Sequence, residues 1–312
     1  MSTITEYEIM QNWQNNISNT ILSICCTTFN HDKFIEDTLD SFLMQKTNFI
    51  FEIIIRDDAS TDETATIIKA YTSKYPNIIK PIFEKENTFS KGIKPMPAAI
   101  KVAKGTYIAI CEGDDYWTDP LKLQKQVNFL EKNKDYVLTY ASMEAFDENG
   151  IIENFHSGAT YDLSSEDIQK CVPINTLTAC FRNIIKIPKE HQCSKYGDLF
   201  LWSLLGSHGK GKYLQDIRAS RYRVHSGGVH STKDFDHQFE MLTVTYVALY
   251  IHYFNINNKI LAKYFKDKIH TMSFRELETS KLNLIYYKEI RRRIKYKIKK
   301  FFKKFRIKSM TT

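Results

Sequence analysis

Between Ile21 and Cys111, four short apolar runs (Ile21–Thr28, Phe51–Arg56, Ile78–Phe83 and Thr106–Cys111) alternate with stretches of helical periodicity. The runs are rich in β-branched residues and too short for helices, so they read as buried strands. Between them, Phe34, Ile35, Leu39, Phe42 and Leu43 recur at the spacing of an amphipathic helix. A second helix is predicted through Tyr71, and a third from Pro95 to Ala103, stopped by Gly105. Strands alternating with helices of this length predict right-handed βαβ units. The expected fold class is therefore α/β: a Rossmann-like, mostly parallel mixed sheet flanked by helices.

Each apolar run ends in polar chemistry. Thr106–Cys111 runs into Glu112, Gly113, Asp114 and Asp115, and Phe51–Arg56 into Asp57, Asp58, Ala59, Ser60, Thr61 and Asp62. Phe29 and Asn30 follow the first strand. Parallel strands present their carboxyl ends at one edge of the sheet, where ligands bind in open α/β folds. Three loops thus meet at one crevice. Clustered carboxylates suit Mg²⁺ or Mn²⁺, which commonly share their coordination with substrate phosphates. An isolated acidic turn would more often cap a helix, and Asp119-Pro120 predicts such a start, with Asp119 as N-cap and Pro120 at the first helical position. Two acidic turns on one edge favour a site.

Beyond that stretch the pattern predicts a helix over Leu121–Lys132, a strand at Tyr136–Tyr140, an irregular polar stretch over 144–165 and a strand at Ile174–Arg182. A helix at Gly197–Ser207, a strand at Lys212–Ile217 and a glycine-rich loop at Tyr222–Gly228 follow, and the pattern is helical from Phe235 onward. The division expected is a catalytic unit over 1–230, a helical region over 231–287 and a basic amphipathic tail over 288–312.

The net charge of +8 belongs to that tail. Lys288–Lys308 holds twelve Lys or Arg against one acid, Glu289, so the rest of the chain is net negative. Ile290, Ile294, Ile298, Phe301, Phe302 and Phe305 fall within an arc of roughly 120° at helical periodicity. A cationic helix with one apolar stripe predicts binding to an anionic membrane surface; packing of the stripe on the body is the other reading. No run reaches the length of a membrane span, and Met1–Glu8 lacks the basic and apolar regions of a secretory signal. The six cysteines form no Cys-x-x-Cys framework and read as reduced, core-packed thiols. These features predict a cytoplasmic protein, peripheral on the inner face of the cell membrane.

Four motifs, Ser23–Asn30, Arg56–Thr64, Ala103–Tyr107 and Glu112–Trp117, in this order and spacing, resemble family 2 glycosyltransferases of the GT-A fold and bacterial surface-glycan type. The resemblance spans about residues 20–230. It implies an inverting transfer from a nucleotide-sugar donor to a glycan or lipid-linked acceptor, with Mn²⁺ or Mg²⁺ as cofactor. Carried over position by position, it gives Phe29 the donor base, with Thr27 beside it, and Asp58 the base or ribose, with Asp57 adjacent. Asp115, assisted by Asp114, would hold the metal on the diphosphate, and Glu112 stands where Asp is commoner. Asp198 would be the catalytic base, although Gly197 replaces the acid often found before it and Asp198 also reads as a helix N-cap. His225 and Arg223 would close over the diphosphate, His225 as a metal ligand or phosphate donor, and Lys91 would reach the phosphates from its loop.

The rival reading is a catalytically silent nucleotide-sugar-binding membrane adaptor, against which the retained Asp58, Asp115 and Asp198 count. A nucleic-acid partner is not expected, because the body is net negative and carries no recognised module. A nucleotidyltransferase would need a glycine-rich basic loop after the first strand, where Thr27–Asn30 stands. The sequence leaves a homo-oligomer open.

Overall fold

The computed structural model describes residues 4–13, 19–155, 157–228 and 235–279. After a short capped helix, α1 (Glu6–Met10), the chain lays down β1 (Leu22–Thr28), α2 (Ile35–Leu43), β2 (Phe51–Asp57), α3 (Thr64–Lys74), β3 (Ile79–Phe83), α4 (Pro95–Val102) and β4 (Tyr107–Ile110). β1 pairs in parallel with both β2 and β4, and β2 with β3. Side chains alternate across this layer. Cys25 and Ile54 enter the core on one face, while Cys26, Ile53 and Ile55 enter the core on the other. Burial on both faces explains why these strands read as continuous apolar runs. The chain steps outward from β1 to β3, then returns to place β4 on the free side of β1. That reversal opens a crevice at the strands' carboxyl ends.

The second half departs from the expected pattern. It comprises α5 (Lys122–Lys132), β5 (Tyr136–Tyr140), β6 (Met143–Asp147), β7 (Gly150–Ile151), α6 (Ser165–Gln169), β8 (Cys180–Arg182), α7 (Gly197–Leu205), β9 (Lys210–Tyr213) and β10 (Ser220–Arg223). The main sheet has the order β3-β2-β1-β4-β8-β5-β9, with β8 antiparallel to both its neighbours and β5 parallel to β9. The stretch expected to be irregular instead holds β6 and β7, which join β10 in a second, three-stranded sheet. β6 is only partly buried, so it lacks the apolar run that marks the inner strands. The strand expected from Ile174 is shortened to β8 by a 3₁₀ turn at Thr176–Thr178. α5 starts later than the Asp119-Pro120 signal implied; Asp119 Oδ1 accepts the Leu121 N–H at 2.9 Å, outside the helix proper.

The helices α8 (Phe235–Asn255) and α9 (Lys259–Thr279) pack on each other, and Ala248, Leu249, Tyr253, Leu261 and Phe265 join the same core as Phe181, Phe200 and Trp202. Each large apolar side chain buried in this way contributes about 1.5–3 kcal/mol. All six cysteines are free and five are buried, as core-packed thiols should be. No helix among the described residues is long and apolar enough to cross a membrane. The basic stretch 288–308 lies outside the described residues.

Candidate active site

The acidic turn after β4 is built by close backbone contacts. Gly113 N–H donates to Thr27 O at 3.0 Å, extending the β1–β4 ladder past the strand end. A Cβ at Gly113 would stand 2.7 Å from both Cβ and Oγ1 of Thr28, so the approach requires glycine. Tyr116 and Arg221 exchange backbone hydrogen bonds of 3.2 and 2.8 Å, which bring the end of β10 onto this turn. Arg223 then donates its N–H to Asp115 Oδ1 (2.8 Å) and its Nε–H to Asp114 O (2.9 Å). Its guanidinium lies 4.6 Å from the ring centres of both Phe34 and Phe146 and bonds Asp37 at 2.8 Å. Held in this way, Arg223 positions His225, two residues on, so that Nε2 lies 3.0 Å from Asp114 Oδ2.

His31 approaches the same oxygen from the loop after β1. Its backbone N–H is held by Thr64 Oγ1 at 2.8 Å, and its Nε2 lies 3.8 Å from Asp114 Oδ2. His31, Asp114 and His225 thus offer three ligand atoms all within 4.8 Å of one another. The set fits a divalent metal: one carboxylate with two imidazoles suits Mn²⁺ better than Mg²⁺, which prefers oxygen. His31 Nδ1 is buried without a partner, and burial lowers the ring's pKa, so the imidazole is neutral and able to ligate. Asp115, expected to hold the metal with Asp114 assisting, lies outside this group of three. It is 2% exposed, and burial together with the charges of Asp114 and Glu112 raises its pKa well above the carboxylate range. Burial also acts on Asp114, but the hydrogen bond from His225 and the charge of His31 outweigh it and hold that carboxyl low. One oxygen donor faces the cluster; its neighbour supports the turn.

Glu112 accepts from Thr176 Oγ1 at 2.9 Å, and burial, then the Asp114 charge, push its pKa up to about 7. The charge of Asp198 adds to that rise. Asp198 is the second residue of α7; the N-cap position belongs to Tyr196, so the helix-cap reading of Asp198 is not what the fold uses. Beside it stands Lys94, whose Nζ donates to Lys195 O at 3.2 Å. Burial lowers the Lys94 pKa to about 8 against the pull of Asp198. A Cβ at Gly197 would lie 3.0 Å from Lys94 Nζ, so the amine fills the space that a side chain at 197 would otherwise enter.

The loops after β1 and β2 are laced together. Asn30, in the left-handed region at φ 54°, accepts the Thr61 N–H at 2.8 Å, and its own N–H goes to Ser60 Oγ at 2.9 Å. Asp57 is buried and takes both donors of Ser60. Asp58 accepts from Thr88 Oγ1 (2.5 Å) and Phe89 N (2.8 Å), anchoring the loop after β3, and forms an ion pair with the guanidinium of buried Arg56 (3.1 Å). The two acids therefore fix the walls of the crevice. Phe29 stays 39% exposed at the mouth, next to Thr27 and Thr28 at the end of β1. Lys91 pairs with Glu86 of its own loop. Sequence reasoning missed His31, Lys94 and Arg56. The rule that singled out Phe29 and Asn30, carboxyl-edge position, applies equally to His31, which is the next residue.

Residues 23–186, more than half the chain, match the pattern of glycosyl transferase family 2. The chain belongs to glycosyl transferase family 2. Among its relatives, the uncharacterized protein Rv1520 of Mycobacterium tuberculosis is 40% identical over 130 residues, 41% of this chain and 37% of the relative. The chain thus spans well under half the length of that relative. The UDP-Glc:alpha-D-GlcNAc-diphosphoundecaprenol beta-1,3-glucosyltransferase WfaP of Escherichia coli is 29% identical over 214 residues, 68% of this chain and 81% of WfaP. In structure the chain is similar to the mannosyltransferase PcManGT of Pyrobaculum calidifontis, solved with GDP-Man and Mn²⁺, at a TM-score of 0.54 and 14% identity, covering 78% of this chain and 69% of that one. That likeness shows the fold: this family 2 member has the GT-A architecture with a helical C-terminal region.

Proposed function

We propose that the protein is a metal-dependent, inverting glycosyltransferase that moves a sugar from a nucleotide-sugar donor to a glycan or lipid-linked acceptor in surface polysaccharide synthesis. The observation that carries the reading is the convergence of His31, Asp114 and His225 on one point of the crevice at the carboxyl ends of the strands. His31, Asp114 and His225 would hold Mn²⁺, and Arg223 supplies fixed positive charge beside them. The bound metal offsets negative charge as the nucleoside diphosphate leaves. Phe29 offers an exposed ring on which the donor's base can stack. Asp198 takes the acceptor hydroxyl's proton while that oxygen attacks the anomeric carbon from the face opposite the leaving group. The acceptor oxygen gains the sugar, and the carbon–oxygen bond to the diphosphate breaks.

The name of WfaP supports a lipid-linked acceptor, and the basic stretch 288–308 supports a peripheral position on the cytoplasmic face of a membrane. In this reading residues 1–230 are the transferase unit, 231–287 the C-terminal region that contains α8 and α9, and 288–312 a tail. The test is a thermal-shift panel of UDP- and GDP-sugars with Mn²⁺, since a donor that binds only the folded state raises Tm. Asp198→Asn should keep the wild-type shift and lose transfer by about 10²–10⁴-fold. Failure of every nucleotide sugar to raise Tm, with either Mn²⁺ or Mg²⁺, would remove the donor assignment.

A further inference from the structure

The turn between α8 and α9 places three large apolar side chains in water on a rigid support. Phe254 is 65% exposed, Ile256 57% and Ile260 81%, all within seven residues. Phe254 only touches the Tyr250 ring, with centroids 6.0 Å apart, yet the backbone N–H groups of the turn are engaged. Ile256, Asn257, Asn258 and Lys259 donate their N–H groups to His252, Phe254, Tyr253 and Asn257 carbonyls at 2.8 to 3.1 Å. Asn257 takes the left-handed conformation at φ 58°, which asparagine tolerates better than most residues. Asn258 Oδ1 accepts the Leu261 N–H at 3.1 Å, and Asn255 Nδ2 bonds Glu190 Oε1 at 3.0 Å. Three asparagines thus satisfy and brace a turn whose apolar side chains point outward.

A surface of this kind can enter an apolar phase cheaply. The main obstacle to moving a turn into lipid is unsatisfied backbone polar groups, and here the N–H groups from Ile256 to Lys259 are already paired. The charges around the tip favour one partner. Between Asn255 and His270 there are four lysines, Lys259, Lys263, Lys266 and Lys268, against the single acid Asp267. All four lysines are exposed. Lys259, Lys263 and Lys266 follow the i, i+4, i+7 spacing of one helix face. They rise from the tip over roughly 10 Å of helix, about one Debye length at physiological salt. An apolar tip under a cationic collar is complementary to an anionic bilayer.

We propose that the α8–α9 turn is a membrane-docking tip that inserts Phe254, Ile256 and Ile260 among the lipids, with the α9 lysines on the headgroups. The tip is tied to the catalytic side. Asn255 bonds Glu190, and the next residue, His191, holds Gly197 O at 3.0 Å, one residue from Asp198. Docking here fixes the body of the enzyme at the surface where a lipid-linked acceptor resides. The inference extends the membrane placement in the proposed function but stands on different residues from the 288–308 stretch.

The test uses the full chain with vesicles of phosphatidylcholine, with and without phosphatidylglycerol. Phe254→Ser combined with Ile260→Ser should weaken binding to the anionic vesicles by about 10²-fold, each exposed apolar group contributing about tenfold. Phe254→Trp gives a readout independent of the tail: brominated lipid should quench the fluorescence this variant adds over wild type, whose Trp117 and Trp202 are buried and Trp13 half-buried. Added fluorescence that stays unquenched in the bound Phe254→Trp variant, or flotation unchanged in the double variant, overturns the proposal. Self-association of the wild type that the double variant abolishes, without quenching by lipid, overturns it in favour of a second copy of this chain. None of these readouts involves turnover, so loss of the tip assignment would leave the glycosyl-transfer reading intact, and the converse.

Discussion

Arg56 is the residue whose removal most sharply tests how the crevice wall is held. Its side chain is 2% exposed, and it meets Asp58 at 3.1 Å, Glu84 at 3.0 Å and Thr88 Oγ1 at 2.9 Å. Arg56→Met leaves the Asp58 carboxylate, itself 3% exposed, with the hydroxyl and backbone of Thr88 and the Phe89 N–H but no countercharge from Arg56. Breaking a buried pair by deleting one partner costs about 3–5 kcal/mol. The lower end applies here, because Asp58 keeps its bonds to Thr88 and Phe89, and Glu84, 31% exposed, can turn to water. About 3 kcal/mol corresponds to a fall in Tm of roughly 4–6 °C for a chain of 312 residues. Adding Asp58→Asn removes the stranded charge and should return about 1–2 kcal/mol. The sign with pH follows from Asp58, whose bonds to Thr88 and Phe89 and pairing with Arg56 outweigh burial and hold its pKa below the ordinary value. Its stabilisation is complete above the unfolded carboxylate pKa and is lost as pH falls through the lower folded value. The gap between wild type and Arg56→Met should therefore shrink in acid. Urea midpoints for the two single variants and the double variant measure all of this. A loss below about 1 kcal/mol, or a double variant as unstable as Arg56→Met, would refute the reasoning.

Gly113→Ala should cost about 1–3 kcal/mol, because its Cβ meets Thr28 Cβ and Oγ1 at 2.7 Å; an alanine variant with unchanged urea midpoint and Mn²⁺ affinity would show that the turn has slack. Lys122 is fully buried, 4.3 Å from the Trp117 ring centre, and burial lowers its pKa from 10.5 to about 8. Between those values the unfolded chain binds the extra proton, so stability gained from this group rises with pH, and Lys122→Met should lose that rise. Comparing wild-type and variant urea midpoints on either side of about pH 8.5 checks it; parallel pH dependence in both would mean Lys122 is not the source.

The first half of the chain was legible because its strands are buried on both faces and its helices are regular, so period and composition agree. β6 and β10 were not, since a half-exposed strand in a small sheet carries no apolar run. Their pairing is also what brings His225 onto Asp114 through Tyr116 and Arg221. The edge rule brings the acidic turns to one crevice but could not say which of two adjacent acids faces it. Adjacent side chains point opposite ways on extended backbone, and only the fold shows Asp115 turned to the Arg223 N–H while Asp114 meets the histidines. Asp58 was assigned from its place in a motif, and its actual partners come from Arg56 and the loop at Thr88–Phe89, which no local pattern predicts.

The central claim is that Asp114, with His31 and His225, holds the metal that receives the donor's diphosphate. Electron paramagnetic resonance of Mn²⁺ measures it without an acceptor or turnover, because the free-ion signal falls as the ion is bound. Wild-type protein should deplete that signal, more strongly with UDP or GDP present. Asp114→Asn should abolish the depletion, and His31→Ala or His225→Ala should weaken it by about 10-fold or more, while Asp115→Asn leaves it within a few-fold of wild type. Nucleotide-dependent Mn²⁺ binding that survives Asp114→Asn and disappears with Asp115→Asn would contradict the account.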